Sequence, residues 1–198
     1  VERAGAIELS IGLWPMLGDG DGRWLHPDNR ERYRDFVDRV LAAAGSIDTL
    51  VLDLEPPIAE VRAIVDGRLG AARSWLGRPH DVGVHAALAR DLAARGVESF
   101  AAVVPPTLYA GRAGRGWQRA LGTPVDDVDW DAISPMLYTS LFEGYGFGVV
   151  RRDDARDLLR RWATLVVARF GARASVSLGA VGVGALGDER TYRDPGEL

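Results

Sequence analysis

The chain has 198 residues, a formal charge of -4 and a sequence isoelectric point of about 5.4, with 47% hydrophobic and 26% charged residues. That length supports one domain with a sizeable core, and the acidity argues against a nucleic-acid binder that works by neutralising phosphates. All 24 basic residues are arginine and cysteine is absent, which excludes a Schiff-base lysine, a Walker lysine, a thiol nucleophile, a disulfide and a cysteine metal site.

No apolar run approaches the roughly 18 residues of a membrane span. The opening Val1-Glu2-Arg3 carries no basic-then-apolar leader. At the other end Asp194-Pro195 reads as a helix cap followed by a first-turn proline, so the chain is expected to be a segment of a longer one.

Strand and helix patterns take turns along the sequence. Ile7, Leu9, Ile11 and Leu13 alternate with smaller or polar residues up to Trp14, a strand with two unlike faces. After the turn-rich Gly18-Asp19-Gly20-Asp21-Gly22, either Asp28 or Asn29 caps a helix carrying Tyr33, Phe36, Val37, Val40, Leu41 and Ala44, which Gly45 ends. Ile47 to Leu54 is a second strand. Pro56-Pro57 then open a helix with Ile58, Val61, Val65, Leu69, Ala72 and Leu76 on one stripe. A shorter helix runs from about Val84 to Arg95, and Val97 to Val104 is the third strand. Pro105 to Trp130 reads as a long irregular segment, Ala132 to Tyr138 as the fourth strand, Asp153 to Phe170 as a helix and Ala174 to Val181 as the fifth strand.

This alternation predicts the α/β class with parallel pairing. Between an open doubly wound sheet and a (β/α)8 TIM-type barrel, the strands favour the barrel. Ser10, Gly12, Thr49, Asp53, Ser134, Ser175 and Ser177 give several strands one small or polar face, whereas both faces of an open parallel sheet are buried under helices. A barrel needs eight strands and about 250 residues. Five visible strands therefore make it an incomplete one, treated as a single unit over residues 1–198.

The chemistry gathers at the end of the second strand, Leu50-Val51-Leu52-Asp53-Leu54-Glu55-Pro56-Pro57. Alternation turns Thr49, Val51, Asp53 and Glu55 one way and the leucines the other. Two carboxylates at the C-terminal end of a parallel strand lie where barrels and open sheets carry their sites. Their mutual repulsion raises one pKa, as a general acid requires. The structural alternative is that Asp53 caps a loop and Glu55 pairs with an arginine.

The run Asp48-Thr49-Leu50-Val51-Leu52-Asp53-Leu54-Glu55 resembles the strand-four signature of family 18 glycoside hydrolases, the chitinases and endo-N-acetylglucosaminidases. Asp48, Asp53 and Glu55 match, while Val51 stands where that family has another Asp. Ser134-Pro135-Met136-Leu137-Tyr138 resembles its Met-x-Tyr strand six, with Thr139 in place of the usual Asp, and Ser10 and Gly12 loosely match its Ser-x-Gly-Gly strand. On this register the chain covers strands three to seven.

The resemblance implies that Glu55 protonates the leaving glycosidic oxygen. Asp53 would stabilise an oxazolinium formed by the substrate's own 2-acetamido group, and Tyr138 would hydrogen-bond the acetamido carbonyl. It implies a carbohydrate partner, and no cofactor or metal. Val51 and Thr139 imply weak activity, and with it the alternative of a glycan-binding barrel that does not cleave.

Sugar-stacking aromatics are expected in the same place. Trp14, Trp24, Tyr109, Trp117, Trp130 and Tyr145 fall at strand ends or in the following loops, where ring faces can stack on pyranoses. Trp14 is the strongest, and Met136 and Tyr145 join it as substrate contacts. Glu143 is either a second carboxylate to Glu55 or a solvated loop acid. Gly182-Val183-Gly184-Ala185-Leu186-Gly187 satisfies G-x-G-x-x-G but lacks the helix and the later acid of a dinucleotide site. His80 and His85 are wrongly spaced for one helical face, so no zinc site is expected from that pair, although His80 and Asp81 could serve a metal with ligands from elsewhere.

Overall fold

A computed structural model describes residues 12–65, 70, 81–138 and 151–178. Five strands, β1 (Gly12–Leu13), β2 (Thr49–Leu54), β3 (Glu98–Val103), β4 (Ala132–Leu137) and β5 (Ser177–Leu178), pair in parallel in the order β1-β2-β3-β4-β5. Between them lie α1 (Arg30–Ala44), α2 (Ile58–Val65), α3 (Val82–Ala94), α4 (Gly111–Leu121) and α5 (Arg152–Phe170). The α/β class read from the sequence is what the chain adopts. The expected extensions of the first strand to residue 7, of the second helix to Leu76 and of the last strand to Val181 lie outside the described residues, as does the C-terminal cap at Asp194.

Register shows why the two sheet faces differ. Val51 pairs with Phe100, Asp53 with Ala102, and Ala102 with Ser134, so these side chains share one face. Leu50, Leu52 and Leu54 share the other with Ala101, Val103 and Ile133. That second face forms one core with Tyr33 and Val37 of α1, Val84, Leu88 and Leu92 of α3, and Val166 of α5. The apolar spacing on α1 and α3 is therefore satisfied by a single sheet face. The first face is mixed: beside Val51, Phe100 and Met136 it carries the small and polar Gly12, Thr49, Asp53, Ser134 and Ser177. The Ser134 and Ser177 hydroxyls lie 2.7 Å apart across it.

One expectation is corrected. Residues 105–130 are not irregular throughout, because Pro105–Leu108 form a 3-10 turn and Gly111–Leu121 form α4. Gly111, Gly114 and Gly116 lower the helix propensity of this stretch, which hides it from the sequence. Gly114 is there for contact: a Cβ on it would fall 1.7 Å from the Tyr109 carbonyl oxygen. Gln118, almost fully buried, then fixes the helix to its flanks by donating to Thr107 O and accepting from the Val125 and Asp126 amides.

Two aromatics expected near a ligand are core instead. Trp24 and Trp130 are 3% and 1% exposed, and each donates its indole N–H to a proline carbonyl, Pro56 and Pro124. Trp117 is exposed, but on α4 rather than in a loop. Among the described residues no helix is long and apolar enough to cross a membrane, and no group of three or more acidic or histidine side chains is arranged to hold a metal.

Candidate active site

Strand alternation brings Asp53 and Glu55 together at the C-terminal end of β2. Asp53 is 5% exposed and Glu55, one residue past the strand, is half-buried. The two side chains share a hydrogen bond in which Glu55 donates to the Asp53 carboxylate. Such a contact requires a proton, since two adjacent anions would repel. Burial pushes Asp53 up to about 7, against the opposing pull of the Glu55 hydrogen bond and the Arg23 charge. Glu55 is held well above the carboxylate range, first by its withdrawal from water, then by the charge and hydrogen bond of Asp53. Both shifts favour a proton held between the two carboxyls. One atom is left over: Asp53 Oδ1 is buried without a hydrogen-bond partner within the protein.

The β1–α1 loop stands beside this pair, and its backbone is unusual. Gly18 to Gly22 coil through a 3-10 turn at Asp19–Asp21. Gly22 has φ +90°, and a Cβ there would come within 2.4 Å of His26 Nε2. Arg23 follows with φ 63°, and the Trp24 amide donates to Gly22 O at 2.8 Å, closing a γ-turn centred on Arg23. A left-handed non-glycine residue costs on the order of 1–3 kcal/mol and persists only where its surroundings over-determine it.

Those surroundings can be named. Asp19 receives Arg23 at 2.7 Å and Arg62 of α2 at 2.7 Å, and the two guanidiniums hold its carboxyl below the ordinary range. The Trp24 indole reaches Pro56 O at 2.7 Å, next in sequence to Glu55. Asn29 donates to Asp21 O and Trp24 O and accepts from the His26 amide, so it ties the loop instead of capping α1 with its side chain. A cleft of about 320 Å³ opens between this loop and the start of α2, lined by Asp19, Asp21, His26, Asn29, Pro57 and Ile58 among others.

The remaining sequence candidates fall as follows. Trp14 follows β1 and is 39% exposed. Met136 is buried on the mixed face with Ser134, and Tyr138 continues that alternation one residue beyond β4. Glu143, Tyr145, His80 and the glycine run 182–187 lie outside the described residues. His85 is buried on α3, edge-on to the Trp130 ring. Sequence reasoning missed Arg23 and Asp19. The clustered glycines announced a turn there, but not the ion pairs of Asp19 with Arg23 and Arg62 that hold it.

Comparison with protein-family models, curated proteins and solved structures yields no match for this chain.

Proposed function

We propose that the chain is the working part of a glycoside hydrolase of (β/α)8 type, cleaving next to N-acetylhexosamine with Glu55 as proton donor. Strand order that never reverses, with the core helices on one sheet face, supports five successive units of a barrel. An open doubly wound sheet reverses its order at a switch point. The observation that carries the chemistry is the hydrogen-bonded Asp53–Glu55 pair at the C-terminal end of β2.

The steps follow from the two protonation states. Glu55 in its protonated form, which its raised pKa favours, gives its proton to the glycosidic oxygen as the C1–O bond breaks. The substrate's acetamido oxygen bonds C1 and forms an oxazolinium cation, which the Asp53 carboxylate stabilises. Water then attacks C1, the C1–O bond to the acetamido oxygen breaks to restore the acetamide, and the water's proton passes to the Glu55 carboxylate. Tyr138 binds the acetamido carbonyl, and Trp14, Met136, Glu143 and Tyr145 contact the sugar.

One observation favours a second reading, a barrel that binds glycans without cleaving them. Val51 occupies the same face two residues before Asp53, and Asp53 Oδ1 lacks a partner. An acid at Val51 is what the resembling family would use to help Asp53 cycle its proton. Incubating the protein and its Glu55→Gln variant with chitin oligomers separates the readings. Hydrolysis lost in the variant with binding retained supports the enzyme; binding without turnover in either form supports the glycan-binding barrel.

A further inference from the structure

We propose that the outer surface of α4 is a binding site for a linear polysaccharide bearing uronate carboxylates, with Arg112, Arg115 and Arg119 as its cations and Trp117 as its stacking ring. The site lies apart from the Asp53–Glu55 pair and does not depend on what those carboxyls do.

Helix α4 carries three arginines and no acid. Gly114, Gln118 and Leu121 are its buried residues and fix which way it is turned. At about 3.6 residues per turn, the surface left outside then has an order across it. Arg112, Arg115 and Arg119, all exposed, form one bank, spread over about 10 Å of the helix axis. Trp117, 43% exposed, forms the other. Between them lie Ala113, Gly116 and Ala120, and a Cβ on Gly116 would meet nothing within 4 Å. The result is a shallow channel with guanidiniums along one side and an indole along the other.

Helix stability does not account for this surface. Arginines on other elements meet acids, Arg34 with Asp91, Arg95 with Asp38 and Arg169 with Asp126. Among the described residues no acid pairs with Arg112, Arg115 or Arg119. Asp126, whose amide meets Gln118 on the inner side of α4, gives its carboxylate to Arg169 of α5. Like charges one turn apart repel, a cation in the first turn opposes the helix dipole, and an exposed mid-helix glycine is less favourable than alanine. The frame beneath is nonetheless firm, held by the Gln118 hydrogen bonds and by the close approach of Gly114 to the Tyr109 carbonyl.

The chemistry of the two banks selects the ligand. An arginine fork takes a carboxylate through two parallel hydrogen bonds, and an indole face takes the C–H face of a pyranose. A uronate polymer offers both groups on one sugar, repeated along a line. Its sparse charge suits a chain of net charge -4, whereas a phosphate backbone calls for a broad basic surface.

The test is calorimetric titration of the protein with an oligogalacturonate at low salt, its fully methyl-esterified form serving as the neutral control. Neither carries an acetamido group, so the outcome is separate from the glycosidase reading. The acid should bind, the ester should not, and added salt should weaken binding. The triple variant Arg112→Gln, Arg115→Gln, Arg119→Gln and the single variant Trp117→Ala should each lower affinity by about 10-fold or more. A control with the same change of charge on exposed residues of α1 and α5, Arg30→Gln, Arg39→Gln, Arg161→Gln, should leave it within about twofold. No binding, equal losses in the two triple variants, or an affinity untouched by Trp117→Ala overturns the proposal. Tighter binding of a single-stranded oligonucleotide at the same residues overturns it in favour of nucleic acid. Should the α4 triple variant fail to fold, Arg115→Gln alone carries the charge arm, with a loss of about threefold or more expected.

Discussion

Replacing Asp53 by Asn removes a buried charge, and the effect on stability depends on pH in a way that the site predicts. The Asp53 carboxyl titrates at about 7 in the folded protein against 3.8 when freely solvated. Between those values the folded state binds more protons than the unfolded one, so stability is fully present below the lower value and is lost as pH rises through the upper. At about 1.4 kcal/mol per pH unit, the whole loss is about 4 kcal/mol. Asn fills the same space and cannot ionise, so it escapes the loss. Urea unfolding of wild type and Asp53→Asn at pH 4, 6 and 8 reads the difference. The variant should gain on the wild type by about 3–4 kcal/mol between the extremes. A constant gap across that range would refute the reasoning, because it would mean that Asp53 ionises as freely in the fold as outside it.

Three further outcomes follow from the packing. Gly114→Ala drives a methyl into the Tyr109 carbonyl and should cost roughly 1–3 kcal/mol in denaturant unfolding, as overpacking does. Gln118→Leu strands the Thr107 carbonyl and the Val125 and Asp126 amides, so a loss of about 2–4 kcal/mol is expected, with thermal unfolding as the check. Trp14→Ala removes an exposed ring; unfolding should move by less than about 0.5 kcal/mol, while calorimetric affinity for chitin oligomers falls.

Much of the fold is legible in the sequence because its signals are local. The Leu50, Leu52 and Leu54 alternation identifies β2 and its buried face, and Tyr33 with Val37 identifies the inner stripe of α1. The same alternation singles out Asp53 and Glu55, since acids are rare on an otherwise buried strand. What stays hidden depends on contacts between distant segments. Helix α4 is masked by glycines whose purpose becomes visible only when Gly114 meets Tyr109 O. Trp24 and Trp130 look like free loop aromatics until their indoles are seen bonded to Pro56 and Pro124. The positive φ of Arg23 is set by a turn closure that no residue preference announces.

The claim that Glu55 donates a proton to the leaving group is tested most directly by varying that group. Cleavage of a chitooligosaccharide needs the proton, whereas release of dinitrophenolate from an activated aryl N-acetylglucosaminide does not. Glu55→Gln should therefore slow the first by about 10²–10⁴-fold and spare most of the second. Equal losses on both substrates, or no loss on either, would contradict the account.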